Sequence, residues 1–183
     1  MSTLRGPIDE RDHIQGAPSA EITLLEYGDY QCPYCGQAYP IVKRVQRRMG
    51  PRLRFVFRNF PLTAVHPLAL TAAETAEAAG AQGQFWEMHD LLYENQRRFS
   101  MRLFLELAIQ LDLDRERFIS DIDEGTYRQQ IRDDFVGGVR SGVNGTPCFF
   151  IDGERHDGSW DEEELIDALE GAPHRRAETI VHP

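Results

Sequence analysis

The sequence predicts an α/β fold in which a mixed sheet, built from a βαβ half and a ββα half, is interrupted by an all-helical insertion. Residues 22–27 and 53–58 are apolar, strand-like runs, and a helical pattern lies between them. A strand, a helix and a strand in this order imply a parallel pair of strands. Strand sequence returns only at Cys148–Ile151, after the predicted insertion at residues 62–141.

The helix of the βαβ half and the helices of the insertion follow from apolar spacing. The first helix is predicted to end at Gly50-Pro51, because these two residues disfavour its continuation. His66-Pro67 is predicted to open the first helix of the insertion, with the proline in a first-turn position that tolerates it. Four further helices are predicted before residue 141, from apolar residues spaced three or four positions apart.

The ββα half contains a hairpin and a final helix. Asp152-Gly153 is a turn pair that predicts a hairpin into a strand at residues 154–156. Ser159 has the spacing of a capping box to Glu162, so the final helix is predicted to begin at Ser159.

Composition and charge exclude several classes of function. The chain has 183 residues, of which 41% are hydrophobic and 27% charged, and this composition fits one globular domain over residues 1–183. The net charge of −10 argues against a nucleic-acid partner or an anionic membrane surface, since both require a basic footprint. The basic run at residues 43–58 is interpreted as solvent-facing cations, with anion binding as the alternative. Residues 1–12 and 171–183 lack apolar periodicity and are predicted to be flexible tails.

The N-terminal residues and the cysteine count bear on the compartment. Residues 1–15 are polar and charged, without the apolar segment of a secretory signal, so the cytoplasm is the expected location. An exported protein whose leader has been removed stays open as the alternative. Three cysteines in a chain of this length do not make a disulfide framework, so a catalytic or metal-binding pair is expected.

The segment Cys32-Pro33-Tyr34-Cys35 carries the strongest functional signal. It joins the first strand to the first helix, where backbone N–H groups and the helix dipole stabilise a thiolate. If Pro33 occupies the first helical position, Cys32 faces outward and Cys35 lies deeper on the same face. Cys32 can then attack a disulfide, and Cys35 can resolve the mixed disulfide that results. A lowered pKa is expected for Cys32 but not for Cys35.

Two further elements fit this chemistry. Glu26 lies in the apolar strand before the cysteines, where a carboxyl group should have a raised pKa and can relay the proton of Cys35 directly or through water. The alternative is that Glu26 faces solvent from an edge strand. Thr146-Pro147 precedes the apolar strand at residue 148, and a proline there can begin a strand or lie at an edge that accepts an extended substrate segment.

The cysteines and two histidines also have interpretations other than redox catalysis. Structural zinc needs four ligands, and the sequence offers neither a second CxxC nor a suitably spaced pair of histidines, so no metal is expected. Cys148 is either a small buried hydrophobe or a third redox thiol, and the second role requires Cα atoms within about 7 Å of Cys35. His89 is interpreted as a core histidine, and His66 either helps to start its helix or lines the substrate groove.

The order of these parts resembles the DsbA-like branch of the thioredoxin superfamily. The resemblance covers residues 13–170 and rests on the two cysteines with their Pro33-Tyr34 spacer, on Glu26 and on Thr146-Pro147. It implies a thioredoxin-like fold, Cys32 as nucleophile, Cys35 as resolving thiol, a cis-proline loop beside them, and thiol–disulfide exchange on proteins. The Pro-Tyr spacer is also found in glutaredoxins, which leaves glutathione open as a co-substrate. The chain departs from the family in showing no leader and in carrying Cys148 directly after the proline.

The sequence therefore predicts a thiol–disulfide oxidoreductase without a bound cofactor, and it leaves the direction of electron flow and the oligomeric state open. Pro33, Tyr34, Thr146 and Pro147 are expected to contact the substrate, which is a protein thiol or disulfide, or glutathione. One alternative is a glutathione-dependent transferase or isomerase, since kappa-class proteins resemble the chain in their helical lobe. The other alternative is a peptide-binding chaperone in which the thiols are incidental.

Overall fold

A five-stranded mixed sheet lies at the centre of the computed structural model, which describes residues 2–172. The strands are β1 (His13–Gln15), β2 (Ile22–Gly28), β3 (Leu53–Asn59), β4 (Cys148–Ile151) and β5 (Glu154–His156). Their order in the sheet is β1-β3-β2-β4-β5. Strands β2 and β3 are parallel, and the other neighbouring pairs are antiparallel. The predicted mixed sheet is confirmed, and β1 adds an edge strand that the sequence did not predict.

Seven α-helices surround the sheet within the described residues. They are α1 (Pro33–Met49), α2 (Ala69–Gly80), α3 (Phe85–Glu94), α4 (Met101–Gln110), α5 (Arg115–Glu124), α6 (Arg128–Arg140) and α7 (Glu162–Glu170). Helices α2 to α6 form the all-helical insertion. None of the helices in this part of the chain combines the length and apolar composition that a bilayer span requires.

The start of α7 differs from the prediction. The helix begins at Glu162 rather than at Ser159, and Ser159 donates its hydroxyl to the carboxylate of Asp161 instead of capping the first turn. Three glutamates at residues 162–164 occupy the first turn, where the helix dipole favours negative charge. The serine thus belongs to the preceding turn.

Alternate residues of the strands divide the buried side chains between two faces of the sheet. The front face includes Leu24, Glu26, Phe55, Phe57, Phe149 and Ile151, and its apolar cluster contains side chains of α1, α2, α3 and α7. The back face includes Leu25, Tyr27, Val56, Arg58, Cys148 and Phe150, which pack with Phe60, Val143 and Phe135 of α6.

The first residues of the chain differ from the predicted flexible tail, because residues 2–12 contact the sheet. Thr3 forms an isolated bridge with Glu154, and Leu4 and Ile8 pack against the back-face cluster. Isolated apolar residues of this kind have no periodicity, so the pattern gave no sign of their packing. Of the other predicted tail, residues 171–172 are described, Ala172 being buried, and residues 173–183 lie outside the described part of the chain.

The basic run at residues 43–58 is largely paired with carboxylates. Lys43 faces Asp90 at 2.7 Å, and three arginines of the α1 region face glutamates of α7. These pairs are Arg44–Glu162, Arg48–Glu163 and Arg52–Glu170. Exposed ion pairs contribute little to stability. The pairs nevertheless engage the cations that a bound anion would need, which argues against the anion-binding alternative.

Candidate active site

The end of β2 and the start of α1 hold the two cysteines of the CxxC segment. Cys32 is the N-cap of α1, with extended backbone angles (φ −69°, ψ 122°), and Pro33 occupies the first helical position. Cys35 lies one turn further along α1 and is fully buried. Both are free thiols. Cys32 is only 3% exposed, in contrast to the outward orientation that the sequence predicted.

The loop before β4 covers Cys32. The thiol of Cys32 donates to the carbonyl oxygen of Thr146 at 3.3 Å, and the Thr146–Pro147 peptide bond is cis. Tyr34, by contrast, is 61% exposed beside the cysteines. All four residues predicted to contact the substrate lie at this site, since Pro33 and Tyr34 follow Cys32 in the chain and Thr146 and Pro147 belong to the loop that covers it.

The surroundings of Cys32 stabilise its thiolate. Its pKa is lowered to about 5, chiefly because the Cys35 thiol donates a hydrogen bond to it. The side chain of Thr146 and the backbone N–H groups of Cys35 and Tyr34 also lower the pKa, while burial opposes them. The helix start thus supplies the donors that the sequence predicted.

Cys35 has the opposite electrostatic environment. Burial raises its pKa well above the ordinary value, and the hydrogen bond to Cys32 and the nearby carboxyl group of Glu26 raise it further. The backbone N–H of Asp29 donates to Cys35 Sγ at 3.4 Å. At neutral pH the pair therefore consists of one ionised and one protonated sulfur.

Glu26 lies beneath the cysteines on the front face of β2. This strand is central rather than at an edge, and Glu26 is 3% exposed, which excludes the alternative that it faces solvent. Burial, with a smaller effect of Cys32, raises its pKa to about 8. Among residues 2–172, its Oε1 atom has no hydrogen-bond partner. A carboxyl group in this state can give or take a proton near neutral pH.

Cys148 does not join this site. It pairs with Tyr27 across β2 and β4, and its side chain packs in the back-face cluster with Leu25 and Phe150. Cys35 and Glu26 lie on the front face. The side chain of Cys148 thus packs on the opposite face of the sheet from Cys35, which favours its interpretation as a structural residue over that as a third redox thiol. It fills space as a small buried hydrophobe.

Two polar residues that the sequence analysis did not single out support the loop. The Asp29 carboxylate accepts hydrogen bonds from the backbone N–H groups of Gln31 at 2.7 Å and Leu62 at 2.9 Å. Gln96, from the short turn between α3 and α4, donates through Nε2 to the carbonyl oxygens of Tyr30 and Cys32, both at 2.8 Å. Aspartate in a loop beside the cysteines is a typical turn residue. No sequence signal marks Gln96, which acts across 64 residues.

The two histidines of interest lie in different positions. His66 Nδ1 is 2.8 Å from Asp29 Oδ2, so it lies beside the active-site loop. His89 is buried on α3, with Nδ1 at 3.0 Å from the Tyr30 hydroxyl, which confirms the core interpretation. Within residues 2–172 no group of three histidine, cysteine or acidic side chains is arranged to hold a metal ion.

Comparison with known proteins agrees with this geometry. Residues 9–171 match the family model described as "Thioredoxin". A thioredoxin-like oxidoreductase from Silicibacter pomeroyi DSS-3 is 27% identical, with a TM-score of 0.78 over 91% of this chain and 94% of that one. BdbD from Bacillus subtilis in its oxidised form is 21% identical, with a TM-score of 0.81 over 92% and 96% of the two chains.

Curated relatives carry a different name. The Na(+)/H(+) antiporter NhaA 1 of Salinispora arenicola is 46% identical over 167 residues, which are 91% of this chain and 26% of the relative. The chain thus spans about a quarter of the length of the curated relatives that it matches.

Proposed function

Because this chain belongs to the thioredoxin family and has the DsbA-like fold, we propose that it is a thiol–disulfide oxidoreductase that acts through Cys32 and Cys35. The observation that carries the proposal is the split between the two sulfurs. The pKa of Cys32 is lowered to about 5, while that of Cys35 is raised well above its ordinary value. Disulfide exchange requires one ionised nucleophile and one neighbouring thiol held in reserve.

We propose that the enzyme, in its disulfide form, accepts two electrons from a substrate dithiol. A substrate thiolate attacks Cys32 Sγ, the Cys32–Cys35 bond breaks, and Cys35 leaves and takes a proton from Glu26. The second substrate thiolate then attacks the substrate sulfur of the mixed disulfide and releases Cys32 as a thiolate. The substrate is oxidised to a disulfide, and the enzyme is reduced to a Cys32 thiolate and a Cys35 thiol. In the reverse direction Glu26 accepts the proton of Cys35.

The thiolate of Cys32 favours oxidation of the substrate. A strongly stabilised thiolate lowers the free energy of the reduced enzyme, so electrons flow toward the enzyme. Protein dithiols are the proposed substrates, with glutathione as a smaller co-substrate. Exposed apolar side chains beside the site support a protein partner, since Tyr34 is 61% and Val65 68% exposed, and Val65 lies in the segment held by Asp29 through Leu62 and His66.

The test is to trap the mixed disulfide. Cys35→Ser incubated with an oxidised protein substrate should accumulate a covalent adduct through Cys32, because the resolving thiol is missing. The wild type should form little adduct, and Cys148→Ser should behave as the wild type, since Cys148 lies on the back face. Adduct formation by a Cys32→Ser/Cys35→Ser variant would contradict the assignment of the nucleophile.

A redox titration complements the trap. The wild type equilibrated with glutathione buffers of defined ratio should remain reduced in buffers that oxidise an ordinary thiol pair. A couple as reducing as a typical structural disulfide would overturn the proposed direction. A Cys32→Ser variant that keeps full exchange activity would overturn the mechanism. A glutathione-conjugation assay, expected to be negative, separates the transferase alternative.

A further inference from the structure

The loop that covers Cys32, residues 142–147, is bound at its start by an arginine of β5. Arg155 donates through Nη1 to the carbonyl oxygen of Gly142. It also donates through Nη2 to Asn144 Oδ1 at 3.1 Å. One side chain therefore connects the hairpin of β4 and β5 to the loop that precedes β4.

The guanidinium group of Arg155 can make these contacts where an ammonium group cannot. Its Nε atom lies 2.8 Å from Asp157 Oδ1, so the charge is paired, and the side chain is 21% exposed. The planar fork of an arginine directs donors at several acceptors at once, which the compact ammonium group of a lysine does not do in the same geometry. Hydrogen bonds with a charged donor are also stronger than neutral ones. The bonds at the start of the loop are thus firm and specific to arginine.

Residues 2–5 pack against the same junction. The backbone N–H of Arg155 donates to the carbonyl oxygen of Ser2 at 2.9 Å. Gly142 has a φ of +85°, a left-handed conformation that favours glycine, and a Cβ added there would lie 2.9 Å from Ser2 Oγ. The start of the loop is therefore enclosed between the first residues of the chain and β5.

The part of the loop nearer Cys32 is packed less tightly. Asn144 is exposed, and a Cβ added at Gly145 would meet no atom within 4 Å among the described residues. The carbonyl oxygen of Thr146 nevertheless lies 3.3 Å from Cys32 Sγ. Because little packing surrounds the middle of the loop, the position of Thr146 depends on β4 at one end and on the bonds from Arg155 at the other.

Arg155 itself lies away from the CxxC pair. It pairs with Phe150 across β4 and β5, and Phe150 belongs to the back-face cluster, whereas Cys35 packs on the front face. Its hydrogen bonds and its ion pair within residues 2–172 go to the loop, to Ser2 and to Asp157. We therefore expect any effect of Arg155 on Cys32 to be transmitted through the loop.

We propose that Arg155 is a positioning residue, which holds the loop at residues 142–147 so that Thr146 stays against Cys32. The inference rests on the proposed function and deepens it. A loop that is ordered before the substrate arrives lowers the entropic cost of binding, so a protein substrate that contacts this loop binds more tightly. Loss of Arg155 weakens substrate binding and uncovers Cys32, while the sulfur chemistry itself is retained.

The first measurement is the rate at which iodoacetamide alkylates Cys32, divided by the thiolate fraction that ultraviolet absorbance gives at the same pH. Arg155→Met should raise this rate about tenfold, because the loss of charge-assisted hydrogen bonds increases the population in which the loop has moved off the thiol. Arg155→Lys keeps the charge but not the planar fork, and its rate should lie between those of the wild type and Arg155→Met.

Arg54→Met is the matched control for this measurement. Arg54 is also a half-buried strand arginine, and its Nε donates at 2.8 Å to Thr23 Oγ1, at the end of β2 away from the cysteines. Alkylation of Cys32 in this variant should match the wild type. A wild-type rate in Arg155→Met, or an equal rise in Arg54→Met, overturns the proposal.

Asn144→Ala keeps the proposal testable if Arg155→Met fails to fold. It removes one of the two bonds from an exposed position, and it should raise the alkylation rate of Cys32 about threefold, the effect of one weaker hydrogen bond. An unchanged rate in this variant then overturns the proposal.

Steady-state exchange with a reduced protein dithiol is the second measurement. Arg155→Met should raise KM about fivefold and leave kcat nearly unchanged, since the loop loses its ordered conformation whereas Cys32 and Cys35 keep their neighbours. A purely structural role of Arg155 would lower the free energy of unfolding and leave KM unchanged, and that result contradicts the proposal. If the wild type catalyses no exchange, the proposed function fails, and the alkylation rates alone then decide whether Arg155 holds the loop.

Discussion

Arg58 on the back face of the central sheet and Glu26 on its front face are both buried, but they differ in their hydrogen-bond partners. On the back face, Arg58 is 8% exposed and fully engaged, with bonds to Asp12 at 2.6 and 2.9 Å and to the Tyr27 hydroxyl at 3.2 Å. On the front face, Glu26 is also buried, but within the described part of the chain no cation pairs with it and its Oε1 has no hydrogen-bond partner. A buried charge is tolerated when it is paired. The unpaired carboxyl group instead holds a proton near neutral pH, which the proposed exchange at Cys35 requires.

The thiols follow the same division. Cys148 on the back face lies among apolar side chains, and burial raises its pKa. Cys32 on the front side meets the donors of a helix start, which lower its pKa to about 5. Position relative to the sheet and the helix, rather than residue type, thus decides which sulfur can react.

Removing Arg58 from the back face and removing Glu26 from the front face should affect stability differently. Arg58→Met leaves Asp12 buried without its partner, and we expect a loss of about 4 kcal/mol in the free energy of unfolding. Glu26→Leu removes an unpaired polar group and should leave stability unchanged or raise it by about 1 kcal/mol. Urea unfolding of both variants measures the difference. An equal loss in the free energy of unfolding in the two variants would contradict the difference proposed between the two faces.

The pH dependence of stability should separate Glu26 from Cys32. Folded Glu26, with its pKa raised to about 8, keeps a proton that the unfolded chain releases above its own pKa of 4.5, so its contribution to stability falls as pH rises through that window. The lowered pKa of Cys32 acts in reverse, and stabilises the reduced protein increasingly as pH rises from about 5 toward 9. In the reduced wild type the two effects oppose each other.

Cys32→Ser isolates the contribution of Glu26. Relative to Cys32→Ser/Glu26→Gln, this variant should lose about 3 kcal/mol of stability between pH 4.5 and pH 7. Asp134, whose pKa burial raises to about 7, is present in both variants and cancels in the comparison. Parallel stability curves for the two variants would show that Glu26 carries no raised pKa in the folded protein.

Removing Gln96, which connects the helical insertion to the loop that carries Cys32, should change the pKa of Cys32 and the stability less than the substitutions above. Gln96→Ala removes both bonds to the Tyr30 and Cys32 carbonyls and should raise the pKa of Cys32 by about half a unit, with a stability loss of about 1 kcal/mol. Gln84→Ala is the control, because Gln84 Nε2 donates at 2.8 Å to Leu111 within the insertion. Ultraviolet absorbance of the thiolate during a pH titration measures the pKa. Equal shifts in the two variants would remove any special role of Gln96.

The central strands, the helices and the reactive pair were predictable because their signals are local. The position of Cys32 at the start of the first helix follows from a short stretch of sequence, namely the apolar run before the cysteines and the proline between them. Glu26 was predictable for the same reason, since its neighbours in the strand are apolar. The side of the sheet on which Cys148 lies also follows from strand alternation, once its pairing with Tyr27 is known.

Other features depend on contacts between distant parts of the chain. Strand β1 has three residues, too few for alternation, and exists because it pairs with β3. Gln96 reaches the active-site loop only after the helical insertion folds back on the sheet. The burial of Cys32 likewise results from the loop at Thr146, more than a hundred residues away.

Because the loop at Thr146 covers Cys32, this sulfur is a strong nucleophile that few reagents can reach. An ionised thiolate is normally consumed by any electrophile that diffuses to it, but a sulfur only 3% exposed can be approached in few directions. A partner that lies along the Thr146 loop can gain contacts as its sulfur comes into line with Cys32, whereas a bulky reagent without such contacts meets only the steric barrier. Under the proposed function, the loop would therefore act as a kinetic filter that selects reactants by the path of their approach.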